Sequence, residues 1–560
     1  MSEVPAFKDH AADYEFKPHE MPIMPGSPAN PDHPAPRKIA YLLIGLFIGL
    51  VGGAQNGFLL ANTAALQGAL SLTPVQAGWI SVAFYSTYAC MSMLLFRVRL
   101  EFGIQPFVRY AMIGLVAANF LQVLELGYYS ELAARAFSGI AASALSALSI
   151  YYLMQGLPAA VRIAGLILGI GLSQVAFPLA RAISPYLLVD GNISRAFQLQ
   201  LGLSVVALGA VYLLRLPPGD RRRTFEKLDL PSITLFMTGV AALLAFMIQG
   251  RIQWWDTPWL GWALALAILC LGGCILIEMN RRRPMLDTRW LSSRAILSLA
   301  ITGAVVRILV TEQSFGATGM FSTLGLVNEQ LSSYFFVLAG ATISGSILSI
   351  LRLNPKDLTR PILFAVFIIA VAAFADTRTG IMSRPSDLYL TQAAIAFAAV
   401  FAMGPVLMEG MLRALTAGPA YVISFIAVFS LSQTLGGLAG VSALSAFHTF
   451  RLKTHLIDAG ATLTIANPEL TEQIGQTIAR FAPTISDPLL QQQAAAASIT
   501  QAVGREAAVL AFNDVFFLIG TLASIVFIAI LVPWAINRLR GHNPLSKELA
   551  FLENMSARSK

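Results

Sequence analysis

Charge is scarce in this chain. Of 560 residues only 12% are Asp, Glu, Lys or Arg, and 56% are hydrophobic; a soluble domain carries about 25% charged residues. Mean hydropathy is +0.68. Water-facing domains could not hide so much apolar surface, which excludes an ordinary soluble enzyme. Cysteine is nearly absent. Cys90, Cys270 and Cys274 all lie in apolar stretches, so neither a disulfide framework nor a zinc site is indicated. Cys270 and Cys274 share a helix face and read as small residues between helices. No Gly-x-x-x-x-Gly-Lys loop occurs, so ATP is not the fuel. No His or Cys pair has metal-ligand spacing, and no Gly-rich filter points to an ion channel. No metal and no cofactor are expected.

What is present is a series of apolar runs of about 20 residues, the length that crosses about 30 Å of hydrocarbon. They lie near 39–62, 76–96, 108–128, 132–154, 161–188, 197–215, 231–249, 259–279, 295–316, 331–351, 361–376, 388–412, 418–447 and 511–536, which makes fourteen spans in an all-α, polytopic membrane protein. The net charge is +8. The cytoplasmic excess of Lys and Arg that orients membrane helices accounts for it better than nucleic-acid binding does. With the N-terminus inside, the cytoplasmic connections hold Arg97, Arg99 and Arg109; Arg215, Arg221, Arg222, Arg223 and Lys227; Arg281, Arg282, Arg283, Arg289 and Arg294; Arg352, Lys356 and Arg360; then Arg538 and Arg540. The outside connections hold little, so both termini are expected in the cytoplasm. Residues 1–38 are polar and Pro-rich, and disorder is the expectation for them. A long outside connection, 448–510, is rich in Ala and Gln. It carries helix starts at Asn467-Pro468 and Asp487-Pro488, the second able to run straight into the last span.

Ionisable groups at membrane depth are functional candidates by default. Arg135 sits about one turn inside the fourth span, with Glu131 four residues earlier on the same face, an order that favours pairing. Arg307 and Glu312 share the ninth span but lie about 140° apart on it, so each needs a partner elsewhere. Glu409 follows Met403-Gly-Pro405 near the cytoplasmic end of the twelfth span, where it either snorkels or takes part in transport. Arg181 follows Pro178 in the fifth span. Asp514 opens the last span and reads as a helix-start acid or a proton site. Trp254, Trp255 and Trp259 read as an interfacial aromatic belt.

Certain motifs go further. Arg135-Ala-Phe-Ser-Gly139, Lys227-Leu-Asp-Leu-Pro231, Gln253-Trp-Trp-Asp-Thr-Pro-Trp259, Arg283-Pro-Met-Leu-Asp287, Leu431-Ser-Gln-Thr-Leu-Gly-Gly-Leu-Ala-Gly440 and Asn513-Asp514-Val-Phe516 resemble the major facilitator superfamily. The nearest likeness is its fourteen-helix drug:proton antiporter branch, among the inner-membrane exporters of tripartite multidrug efflux systems. The chain departs from that pattern at Phe96-Arg-Val-Arg-Leu-Glu-Phe-Gly103, at Phe177-Pro178-Leu-Ala-Arg181, at Gln55, Asn56 and Asn62 where an Asp is usual, and at Gln433 where an Arg is usual. The resemblance implies two six-helix bundles, 39–215 and 295–536, around a central cavity, with two additional helices in 216–294 and a cytoplasmic tail at 537–560. It implies Glu131, Arg135, Glu312, Glu409 and Asp514 as proton-coupling residues, and Arg181, Arg307, Gln55, Asn56 and Gln433 as cavity residues. Gly103, Gly139, Pro178, Gly436, Gly437 and Gly440 would serve packing or gating. The expected partners are a small-molecule substrate, protons, the lipid bilayer, and a periplasmic adaptor with its outer-membrane channel. The function implied is proton-coupled antiport that exports drugs or other small organic compounds across a bacterial inner membrane. The buried arginines keep open a dedicated transporter of an anionic metabolite or siderophore, and the eroded motifs a non-transporting receptor.

Overall fold

The structure is a computed structural model that describes residues 20, 26–158, 161–162, 164–188, 191–219, 225–281, 284–462, 468–541 and 544–550. Arg221, Arg222, Arg223, Arg282, Arg283, Asn467, most of residues 1–38 and half of residues 537–560 lie outside the described residues. Among the described residues there is no strand, only an isolated bridge between Pro28 and Gly219.

Among the described residues fourteen helices are long and apolar enough to cross a membrane. They are α1 (Ala35–Ala61), α2 (Pro74–Phe102), α3 (Ile104–Val123), α4 (Tyr128–Gly156), α5 (Ala164–Leu187), α6 (Ser194–Leu213), α7 (Asp229–Gln253), α8 (Pro258–Asn280), α9 (Arg294–Thr323), α10 (Asn328–Leu351), α11 (Thr359–Asp376), α12 (Pro385–Ala417), α13 (Pro419–Thr462) and α14 (Pro488–Leu539). Local chemistry sets several ends. Thr73 and Gln76 form a capping box before α2, which satisfies two orphan donors at once. Gly103, at φ +85°, turns the chain from α2 into α3, a conformation that a Cβ would strain.

The helices fall into two groups with the same internal contacts. In α1–α6, α1 packs on α4, α5 and α6, α2 on α4, and α3 on α4 and α6. Each contact recurs eight helices later: α9 on α12, α13 and α14, α10 on α12, and α11 on α12 and α14. The groups meet where α5 packs on α10 and α2 on α13, a pair of contacts that the same shift exchanges. Helices α7 and α8 pack on each other, and α7 bridges α2 and α13 from outside. Large apolar side chains such as Trp262, Leu269, Phe364 and Ile525 point outward, as a lipid-facing surface requires. Inside, small residues let backbones approach: a Cβ on Gly139 would overlap Thr87 Oγ1 and the Phe84 carbonyl of α2, and one on Gly440 would overlap Thr311 of α9.

Two expectations need correction. The tail through residue 38 is not wholly disordered. Ser27, Ala29, Asn30 and His33 are buried beneath α1–α6. The Ala29 N–H donates to Pro218 O at 2.9 Å, Gln155 Nε2 donates to Ala29 O at 2.7 Å, and His33 Nε2 pairs with Gln155 Oε1 at 2.9 Å. A Pro-rich strap cannot satisfy its own backbone; the end of α4 and the α6–α7 connection do so. The segment 448–510 is also not a loop. Helix α13 runs on to Thr462, a separate helix spans Pro468–Phe481, and α14 starts at Pro488, capped by Asp487, whose side chain accepts from the Leu489 N–H. At 1.5 Å per residue the 52 residues of α14 extend about 78 Å, so a helical hairpin stands well clear of a bilayer of about 45 Å.

Candidate functional site

The polar residues of the spans form two centres. The first lies where the two helix groups meet. Arg307, midway along α9, reaches across to α5 and donates from Nη1 to Gln174 Oε1 at 3.1 Å. Gln433 of α13 lies beside it, with Nε2 donating to Gly303 O at 3.4 Å, and Gly436 and Gly437 give α13 the clearance to pass Ala304 and Arg307. Two turns further along α5, Arg181 lies between Phe177 and Phe335 of α10, its guanidinium 5.3 and 5.2 Å from the ring centres. Arg135 on α4 is fully buried. Its Nη1 donates to Gln55 O at 2.6 Å and its Nη2 to Asn56 Oδ1 at 3.3 Å, and it stacks on Phe84 at 4.6 Å. Asn56 Nδ2 in turn donates to Tyr85 OH at 2.8 Å, and Tyr85 is close enough to Arg135 and Arg307 to interact with both electrostatically. Side chains of α1, α2, α4, α5 and α9 thus converge.

The second centre lies inside α9–α14. Glu312 starts a π-helical turn, Glu312–Ala317, a local widening that often marks functional sites. Gln392 Nε2 of α12 donates at 2.8 Å to Glu312 Oε1 and at 2.8 Å to Asp376 Oδ2 of α11. Tyr334 OH of α10 donates to Gln392 Oε1 at 3.3 Å. All four side chains are buried, Glu312 Oε2 has no partner, and no ion pair to either carboxylate occurs among the described residues. One amide holding two carboxylates at depth makes a compact acidic centre, and Tyr334 links it electrostatically to Arg181.

Other candidates are placed differently. Glu131 is buried and accepts from Gln122 Nε2 at 2.9 Å, while Arg135 turns its hydrogen bonds to two acceptors on α1; the expected pair therefore acts through space, each charge on the other, with no direct contact among the described residues. Gln122, Arg135 and Gln200, each with an unpartnered buried polar atom, line a cavity of about 10 Å³, room for about one water. Glu409 pairs with Arg413 at 2.6 Å, one turn along α12 and partly exposed, the geometry of a surface pair. Asp514 does not start a helix, because α14 begins 26 residues earlier; it joins α14 to α13 through Arg451 and His455, each at 2.7 Å. Gly103 and Gly139 stand at the turn and the crossing described above, and Pro178 lies inside α5.

Sequence reasoning missed Asp376, Gln392, Tyr334, Tyr85 and Gln174. Asp376 looked like the end of an apolar run, and the uncharged ones carry no signal beyond polarity. It also missed a charge cluster where α2, α7 and α8 end. Asp229 accepts from Arg97 at 2.5 Å and forms an ion pair with Arg281 at 2.7 Å, and Arg281 also pairs with Glu278 and Glu226, each at 3.0 Å. Those carboxylates hold Arg281 above its ordinary pKa despite its burial.

No family model matches the chain, and no curated protein does. The chain is similar to many solved structures, two of which follow. One is the major facilitator superfamily proton:xylose symporter XylE bound to 6-bromo-6-deoxy-D-glucose, at TM-score 0.47 and 14% identity over 85% of this chain and 95% of that one. The other is a partially occluded inward-open conformation of the xylose transporter XylE from E. coli, at TM-score 0.43 and 14% identity over 74% of this chain and 98% of that one.

Proposed function

We propose that this chain is a proton-coupled secondary transporter of the major facilitator type. It exports small organic compounds, drugs among them, across a bacterial inner membrane, with both termini cytoplasmic. The observation that carries the reading is the Glu312–Gln392–Asp376 centre. Carboxylates kept at depth are expensive and functional, and a proton is the ion that such a pair exchanges without rebuilding its surroundings. Uptake of a proton changes the charge of α9–α14 alone, and so biases how that group sits against α1–α6. Among the described residues, the polar and cation–aromatic contacts between the groups are individually weak: Arg307 to Gln174, Arg181 to Phe335, Ser332 Oγ to Ala182 O at 2.9 Å and Asn328 Nδ2 to Ala61 O at 2.8 Å. Rocking about the shared core would exchange them for others. The hairpin beyond the outer face offers a mount for a periplasmic adaptor.

The test is accumulation of a dye panel in cells with and without the protein, before and after an uncoupler, alongside Glu312→Gln and Asp376→Asn at matched membrane levels. Lower accumulation that the uncoupler and either variant abolish supports the reading. Equal accumulation in all strains refutes it.

A further inference from the structure

We infer that the substrate is an organic anion, and that Arg307 is the residue that takes its charge. The inference rests on the transporter reading above. Arg307 is half-buried midway along α9, against Gln174 of α5 in the other group and Gly436 and Gly437 of α13. Its hydrogen-bond partner is the neutral Gln174, and its Nε has none. The groups that act on it electrostatically are Tyr85 and Tyr88, neither of them anionic at neutral pH. A guanidinium held at depth without a counter-ion is costly. Among the described residues no carboxylate pairs with it, although two are held in the Glu312 centre inside α9–α14. The neutral contact to Gln174 also joins the two helix groups, so it must open whenever they move apart, which exposes a planar fork of donors shaped for a carboxylate or phosphate.

The surroundings narrow the class further. Gln174 and Arg181 are seven residues apart on α5, so they share a face about 10 Å apart along its axis. Phe177 lies between them, and Phe335 faces Arg181 from α10. Tyr85 and Tyr88 flank Arg307. A cation at each end with aromatic rings between fits a flat or aromatic body that carries one acidic group at Arg307 and a second acidic or polar group near Arg181. A lipophilic cation would meet two guanidiniums without compensating charge.

A pair of dyes with one ring system and opposite charge tests this. Fluorescein is anionic at pH 7.5 and rhodamine 123 is cationic, and both are built on xanthene. Efflux of each is followed from proteoliposomes that hold the full chain under an imposed pH gradient. The expected result is protein-dependent movement of fluorescein in preference to rhodamine. Loss of one charge-assisted contact should weaken it by at least about tenfold in Arg307→Ala, with partial recovery in Arg307→Lys. Gln174→Glu guards against misfolding: it gives Arg307 an internal counter-ion, so the protein should stay intact while fluorescein movement falls. Rhodamine moving without fluorescein, or Arg307→Ala and Gln174→Glu both leaving fluorescein efflux unchanged, overturns the anion assignment and leaves the transporter reading standing. Neither dye moving with the wild-type chain counts against both.

Discussion

Replacing Asp229 with Asn should destabilise the chain more than any other single isosteric change at the face where α7 begins and α8 ends. The Asp229 side chain is 1% exposed and takes two guanidiniums, Arg97 at 2.5 Å and Arg281 at 2.7 Å; it also accepts the Glu226 N–H at 2.8 Å. An amide keeps the shape, but it removes the charge and turns an N–H₂ toward one of the two cations. Breaking a buried pair by removing one partner costs about 3–5 kcal/mol. The lower end applies, near 3 kcal/mol, because Arg281 keeps Glu278 and Glu226. The loss falls on the junction of α2, α7 and α8, so it should also loosen how α7 sits between the two helix groups. Equilibrium unfolding of the purified chain in detergent measures it, with Arg281→Met and the double variant completing the cycle. A loss below about 1 kcal/mol, or single effects that simply add, would show that the cluster is a set of screened surface pairs and refute the reasoning.

Gly139→Ala puts a methyl into the Phe84 carbonyl, which the α2 backbone cannot withdraw. Overpacking of this kind costs about 1–3 kcal/mol, to be read as a lower melting temperature against Gly209→Ala, whose Cβ meets nothing within 4 Å. His33 has its pKa held below 6.5, chiefly by burial and further by Arg37, Lys38 and Arg162, against the opposing effect of the hydrogen bond it makes to Gln155 Oε1. Its neutral form is therefore the docked one. Docking of the 26–34 strap is complete above pH 6.5 and weakens as pH falls through and below that value. Corrected for the intrinsic slowing of amide exchange in acid, the protection of the amides within 27–33 should fall between pH 7.5 and 5.5, and His33→Asn should remove most of that change.

Much of the fold was legible because a span is a local property. Arg281 and Asp287 flank a break between apolar runs, and Pro468 and Pro488 mark helix starts whatever lies around them. The hairpin was half legible. Asp487-Pro488 announced a helix, but nothing in Ala-Gln-rich sequence says that α13 continues to Thr462 rather than stopping at the membrane edge. The strap misled because Pro-rich composition describes what a segment cannot build by itself. It does not reveal that Gln155, over 120 residues away, will hold Ala29 and His33.

The sequence by itself determined the number of membrane spans and which residues could carry charge at depth. The thickness of the hydrocarbon layer is matched by consecutive residues, and so is the cost of a charge inside it. Only the tertiary structure decided the partners. Glu312 meets Asp376 through Gln392, Arg307 meets Gln174 across the two groups, and Arg135 chooses Asn56 over Glu131. These choices depend on how each helix is rotated about its axis and which neighbour it faces. Close packing of small residues such as Gly139 and Gly440 sets that, between stretches of chain that carry no record of one another.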